Sequence, residues 1–161
     1  MDVILMKPSE DIKGECLLKG HEQELELLSY NHGLMMQVTS DQSNSARTSG
    51  KPMLQEFSVT KYMDAASPKL YDYLLRGADI GTVTITIGRN DNGEVLPLIV
   101  YTLEETLIAN ISTGGGGGDK PVETLSMNFT RIQWEYKQQD PGVEGKGAVT
   151  AVWNIKTNTA E

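Results

Sequence analysis

A run of five consecutive glycines between two strand-like stretches constrains the fold more than any other feature of the sequence. Glycine loses more backbone entropy on folding than any other residue, so such a run disfavours the interior of a helix or strand. On either side, over residues 103–112 and 125–136, apolar side chains recur at a period close to two. The pattern predicts two long antiparallel strands joined by a flexible loop. The loop residues are Gly114, Gly115, Gly116, Gly117 and Gly118.

The apolar alternation changes parity at two places in the chain, one after the glycine run and one in an earlier predicted strand. Beyond Phe129 the apolar residues move to the opposite parity, which predicts a β-bulge near Thr130 or Arg131. The same change follows Leu27 inside a strand predicted over residues 22–35, and it predicts a second bulge there.

A glycine run also occurs in phosphate-binding loops, but the residues that follow argue against one here. A phosphate loop opens a helix, whose first amides meet the anion, and a Walker loop ends in Gly-Lys-Ser/Thr. In this chain the glycines are followed by Asp119, Lys120 and Pro121 and then by a strand pattern. The run is interpreted as a connection.

The rest of the chain predicts a mainly β protein with one short helix. Ser67 as N-cap, Pro68 at the first helical position and Gly77 at the end delimit the helix. About eight strands are predicted in all, and turn residues separate them at short spacing, which favours a sandwich or a closed barrel. We expect a single domain over residues 1–161. The further strands are predicted at 1–6, 55–62, 82–87, 94–112 and 149–155.

Composition excludes several classes of function. The net charge of -8, with no cluster of Lys and Arg, removes the attraction that supplies most nucleic-acid affinity. No run approaches the roughly 18 apolar residues of a membrane span, so no stable membrane insertion is expected. Cys16 is the only cysteine, so an internal disulfide is excluded. The first residues lack the marks of a conventional secretory signal, and we expect synthesis in the cytoplasm.

The sequence predicts no catalytic centre, cofactor or metal site. His21 lies in a turn and His32 on a strand beside Tyr30, where a packed or hydrogen-bonded imidazole is expected. One cysteine and two separated histidines do not form a zinc motif. Glu104 and Glu105 are the carboxylates that a hydrolase would use, and this is a minor alternative.

Residues 37–51 form a long polar segment with no hydrophobic period after Val38. Loops of this length in compact domains are usually functional or disordered, so the segment is a candidate contact arm.

Several ordered motifs resemble the haemolysin-coregulated protein (Hcp) family, the inner-tube subunits of bacterial type VI secretion systems. The most specific is FSVTKYMDAASPKL over residues 57–70, followed by the glycine run. LSYNHG at 28–33, LSMNF at 125–129 and WEY at 134–136 agree with it in order. The resemblance covers nearly the whole chain.

This resemblance implies a small closed β-barrel with one flanking helix, acting as a structural subunit and not as an enzyme. The subunits would form homo-hexameric rings that stack into a tube inside a contractile sheath, behind a VgrG-like spike protein. Small effector proteins would be carried and chaperoned in the lumen. The protein would be cytoplasmic before firing and then secreted or delivered into a target cell without a cleaved signal peptide.

The resemblance also assigns roles to particular residues. It implies that Asn31, between Tyr30 and His32, faces the lumen and meets cargo, with Ser29 beside it. Tyr30 and His32 stand where the family usually has tryptophans, so cargo preference is expected to differ. The polar segment would contact the next ring. The ring-stacking residues assigned to it are Ser40, Asp41, Gln42, Ser43, Asn44, Ser45 and Arg47.

Two alternatives stay open from the residues themselves. A lipocalin-like barrel would hold a small molecule inside, although the chain has enough aromatic side chains to fill a small barrel, namely Phe57, Phe129, Trp134, Tyr136 and Trp153. A tube subunit fused to a toxin is disfavoured, because the last predicted strand ends a few residues before Glu161.

Overall fold

The structure, a computed structural model, describes residues 3–8, 11–38, 50–140 and 143–161. Within these ranges the chain forms twelve strands and one helix, so the predicted mainly β class with a single short helix is confirmed. The elements are β1 (Val3–Lys7), β2 (Leu25–Glu26), β3 (Ser29–Asn31), β4 (Leu34–Met35), β5 (Met53–Leu54), β6 (Phe57–Tyr62), α1 (Ser67–Arg76), β7 (Val83–Asp91), β8 (Glu94–Glu104), β9 (Leu107–Gly114), β10 (Val122–Asn128), β11 (Arg131–Asp140) and β12 (Val143–Asn154).

The strands form two main antiparallel sheets and a small ribbon. The larger sheet has the order β12-β11-β8-β7-β1-β2, the second has the order β3-β6-β10-β9, and β4 pairs with β5. One apolar core receives side chains from both main sheets and from the helix, including Phe57, Leu70, Ile85, Leu125 and Ile132. Among the described residues no strand of one main sheet pairs with a strand of the other. The predicted closed barrel is therefore a pair of sheets joined at corners.

Those corners explain the breaks in the hydrophobic alternation. The chain leaves one main sheet and enters the other between β2 and β3, between β8 and β9, and between β10 and β11. Each passage moves the core to the opposite side of the strand, so the apolar parity changes. The bulges predicted after Leu27 and near Thr130 are thus wrong, and both positions are changes of sheet.

The strand predicted over 94–112 is also wrong as a single element. It divides into β8 and β9 at Glu105, whose φ of 50° ends the extended backbone. The corner is held by neighbouring chain segments, since the Thr130 amide donates to the Glu104 carbonyl at 3.1 Å and the Thr106 amide donates to Gly81 at 3.2 Å.

The helix matches its prediction except at its first residue. Pro68 lies in the first turn, and Gly77 ends the helix in the left-handed conformation at φ 63°, as expected. The N-cap is Ala66, and Ser67 is the first helical residue. The Ser67 side chain does not cap the helix; it is buried and forms hydrogen bonds with Lys61 and Glu123.

The glycine run connects two paired strands as predicted. Gly114 is the last residue of β9 and lies opposite Val122 of β10. Residues 115–121 form the connection, in which Gly118 has a φ of 114° that side-chain-bearing residues rarely adopt. The flexibility of this loop stays a prediction.

Candidate functional site

One face of the β3-β6-β10-β9 sheet carries uncharged polar side chains in two adjacent rows that cross all four strands. Strand pairing aligns the residues of each row, and the alternation of strand side chains places both rows on the same face. We call this surface the polar face. The first row is Ser29, Thr60, Thr124 and Ser112, and the second is Asn31, Ser58, Ser126 and Asn110.

The residues between the two polar rows point to the opposite side of the sheet, which packs on the core. Tyr30, Val59, Leu125 and Ile111 form the row between them, and Val59 and Leu125 are fully buried in the core. Burial of this apolar row fixes the register of strand pairing, because a slip of one residue would expose the apolar side chains to solvent. Core packing therefore fixes which side of the sheet carries the polar face.

The polar face is short-chained and largely open to solvent. Ser29, Asn31, Asn110, Ser112 and Thr124 are exposed, and the remaining members are half-buried. The Ser58 and Ser126 hydroxyls bond each other across the central strands at 3.2 Å. Such a surface offers hydrogen-bond donors and acceptors without a fixed charge.

The two residues assigned by resemblance, Ser29 and Asn31, both lie on this face. They belong to β3, the strand at one edge of the sheet. Sequence reasoning did not assign the six other members, although Ser, Thr or Asn at every second position of three further strands is a readable signal.

Behind the polar face lies a cluster of rings. The Phe57 ring is centred 5.3 Å from His32, 5.0 Å from Tyr101 and 6.1 Å from Tyr30, and His32 lies 6.2 Å from Trp134. Burial lowers the pKa of His32, and the nearby backbone of Gln55 partly opposes this shift. Among the described residues, neither ring nitrogen of His32 makes a hydrogen bond. His32 is a packed ring, as the sequence predicts.

A buried ionic network fastens the helix to the same sheet. Lys61 and Glu123 are cross-strand neighbours on β6 and β10, both are fully buried, and the Lys61 ammonium lies 2.8 Å from the Glu123 carboxylate. The ammonium also donates to Asp64 at 3.0 Å and to the Ser67 hydroxyl at 3.1 Å. Ser67 in turn donates to Glu123 at 2.9 Å. These groups satisfy one another, which is the condition under which charge can be buried.

Tyr71 extends the network to the edge strand β9. Its hydroxyl donates to Glu123 and lies 3.2 Å from the Thr113 hydroxyl. Burial raises the pKa of the Glu123 carboxyl, but hydrogen bonds from Lys61, Tyr71 and Ser67 outweigh that effect and leave the pKa below its ordinary value. The specific residues of the FSVTKYMDAASPKL motif thus have a physical role, since Lys61, Asp64 and Ser67 join the helix to β6 and β10, while Tyr71 adds the contact with β9.

The carboxylates considered for hydrolysis are engaged in ion pairs at a corner of the fold. Glu104 bonds Arg131 at 2.9 Å, and Glu105 contacts Lys156 at 2.5 Å and Thr130 at 3.0 Å. The bonds from Lys156 and Thr130 hold the pKa of Glu105 below its usual value.

The other residues considered for chemistry are also placed. His21 contacts the carboxylate of Glu24, and Cys16 is buried, with a thiol pKa raised by burial. No group of three or more potential metal ligands occurs in the described part of the chain. The single helix of the described residues is too short and too polar to span a bilayer.

The predicted ring-stacking residues lie outside the described residues. They are Ser40, Asp41, Gln42, Ser43, Asn44, Ser45 and Arg47. The described chain on either side of them forms the β4-β5 ribbon, in which Leu34 pairs with Leu54 and Met35 pairs with Met53.

Two joined antiparallel sheets, a flanking helix held by buried ions and one neutral polar face characterise this mainly β protein. A family described as "Type VI secretion system effector, Hcp" matches residues 6–136, so the chain belongs to the Hcp family of type VI secretion proteins. Protein hcp1 of Pseudomonas aeruginosa is 33% identical over 150 residues, which cover 92% of each chain. The family predicted by resemblance is confirmed.

Solved structures agree with this assignment. A structure described as that of a type six secretion system protein shares the fold over 99% of both chains, at 25% identity and a TM-score of 0.91. Hcp1 from Salmonella typhimurium shares the fold at 24% identity and a TM-score of 0.79, over 97% of this chain and 96% of its own.

Proposed function

We propose that this chain is a structural subunit of a type VI secretion inner tube, with its polar face turned to the lumen. The observation that carries the proposal is the neutral chemistry of that face. On a chain of net charge -8, two complete rows of four residues contain no charged side chain. A lining without fixed charge neither traps nor repels a passing protein by long-range electrostatics.

The subunits associate by continuing this sheet from one copy to the next. Its outer strands β3 and β9 each pair on one side only among the described residues. An unpaired strand edge presents amide and carbonyl groups that favour pairing with another chain. Six copies joined in this way form a ring whose inner wall is the polar face, and stacked rings form the tube.

The remaining partners follow from that role. Ser29 and Asn31 contact small effector proteins in the lumen, while a VgrG-like spike protein and a contractile sheath contact the ends and the outside of the tube. The protein starts in the cytoplasm and leaves with the tube when the system fires. The segment from Ser40 to Arg47 contacts the adjacent ring. Catalysis and cofactors have no part in this function.

A lipocalin-like function gains no support from the interior. The rings of His32, Phe57 and Tyr101 occupy the space between the main sheets with centroid separations of 5.0 to 6.2 Å. Close-packed rings leave no room there for a small-molecule ligand.

Native mass measurement over a range of concentrations tests the proposal. We expect a hexamer, and we expect Ala109→Lys on edge strand β9 to shift it towards monomer by placing a charge at the proposed junction. Leu75→Lys, on the exposed outer side of the helix, is the matched control and should leave the hexamer intact. A wild-type chain that is monomeric at every concentration would contradict the proposal.

A further inference from the structure

Three methionines are gathered at one exposed place in the fold. Met35 and Met53 face each other across the β4-β5 ribbon, and Met36 follows directly. Their exposed fractions are 53%, 59% and 45%, whereas Met6 and Met127 are 0% exposed in the core. Met63 is intermediate. Solvent therefore reaches the ribbon methionines but not the two core methionines.

The same methionines border a groove that contains both tryptophans of the chain. Met35, Met36 and Met53 line a groove of about 380 Å³ together with Leu54, Trp134 and Trp153. The lining is almost wholly apolar, and thioethers make favourable contacts with aromatic rings. We call this surface the methionine groove.

The ribbon depends on these apolar contacts. An isolated two-stranded ribbon is at best marginally stable in water, and this one has two paired residues in each strand. It must be held by packing: Leu54 of the ribbon packs against the core, and the ribbon shares its apolar groove with Trp134 and Trp153. A polar group added to the methionines would therefore weaken the attachment of the ribbon.

We propose that Met35, Met36 and Met53 form an oxidation site that takes an oxygen atom from hydrogen peroxide or an organic hydroperoxide. The thioether sulfur attacks the terminal peroxide oxygen, so an S–O bond forms and the O–O bond breaks. The sulfur loses two electrons, and the other peroxide oxygen takes up a proton and leaves as water or alcohol. The product is methionine sulfoxide, a polar side chain in place of an apolar one.

Oxidation of this site releases the ribbon from the two tryptophans. Because sulfoxide reductases can return the sulfoxide to the thioether, this release is reversible. This inference concerns the chain alone and does not rest on the proposed tube, since the ribbon and the groove belong to one subunit.

Limited treatment of the full chain with hydrogen peroxide, followed by peptide mass spectrometry, tests the reactivity. We expect the peptides with Met35, Met36 and Met53 to gain oxygen severalfold faster than those with Met6 and Met127. Equal rates at ribbon and core methionines would overturn the proposal.

Tryptophan fluorescence tests the consequence, because both tryptophans line the methionine groove. We expect a red shift of emission and stronger acrylamide quenching after oxidation, both reversed by sulfoxide reductases. The triple variant Met35→Leu, Met36→Leu and Met53→Leu keeps an apolar groove and should show neither change. Unchanged emission in fully oxidised wild type, or the same response in the triple variant, would overturn the proposal.

Discussion

At the scale of single residues, disrupting the buried pair of Lys61 and Glu123 is expected to lower the free energy of unfolding strongly. Both are fully buried, and their charges are met by Asp64, Ser67 and Tyr71. Such a network need not add net stability over an apolar core, but removing one partner leaves the opposite buried charge poorly compensated. The four-stranded sheet and the helix therefore depend on its completeness.

Glu123→Gln is expected to lower the free energy of unfolding by about 3 kcal/mol, because Lys61 loses its fully buried counter-charge and keeps only that of Asp64. Denaturant unfolding measures this loss. Asp72→Asn is the matched control, since it breaks the exposed 2.8 Å pair with Arg76 and should cost less than about 1 kcal/mol. An equal decrease in the free energy of unfolding in the two variants would contradict the claim that burial makes the Lys61–Glu123 pair more important for stability.

The same network predicts a dependence on pH. The folded-state pKa of Glu123 lies below its ordinary value of 4.5, so its contribution to stability is present above that value and is lost as pH falls through the lowered pKa. We therefore expect the gap in unfolding free energy between wild type and Glu123→Gln to narrow below about pH 4.5. Unfolding curves at neutral and acidic pH measure the gap, and a constant gap would contradict the assignment.

If the polar face lines the lumen as proposed, Asn31→Arg should abolish cargo retention and leave rings intact, because its side chain is exposed on that face and stands off the sheet, away from the backbone edge of β3. Co-purification of a cognate effector together with native mass measures both properties. Asn31→Ser, which keeps a small polar group, is the control. Loss of rings in Asn31→Arg would place this side chain at a subunit interface instead.

At the scale of elements, the changes of sheet show what alternation can and cannot predict. The parity change between β10 and β11 was visible in the sequence, but a bulge and a corner produce the same local pattern. Only the partner strands distinguish them, and pairing is non-local. The division at Glu105 left no readable mark, because a glutamate with positive φ is uncommon and its corner is fixed by contacts with Thr130 and Lys156.

The end of the helix gives a prediction at this scale. Gly77→Ala is expected to cost about 1–2 kcal/mol, because φ of 63° is strained for a residue with Cβ even though open space surrounds it. Gly116→Ala in the glycine loop is the control, since its surroundings are equally open and its φ is not positive, and it should be near neutral. Thermal unfolding compares the two, and equal midpoints would contradict the role of Gly77.

At the scale of the whole molecule, the class of fold and the family followed from the sequence, while the candidate functional surface followed only in part. Glycine and proline signals located the loop and the helix, and the ordered motifs identified the family. Ser29 and Asn31 came from one strand, whereas the polar face needs the register of four strands. The role of Lys61 was hidden for the same reason, since its partner Glu123 lies 62 positions away in the sequence.

Electron microscopy of the purified full chain tests the central claim most directly. If this neutral face lines a lumen and the edges of its sheet join neighbouring copies, the micrographs will show annular particles with an open centre and sixfold symmetry. A uniform field of small solid particles, at concentrations where the chain is folded, would contradict it.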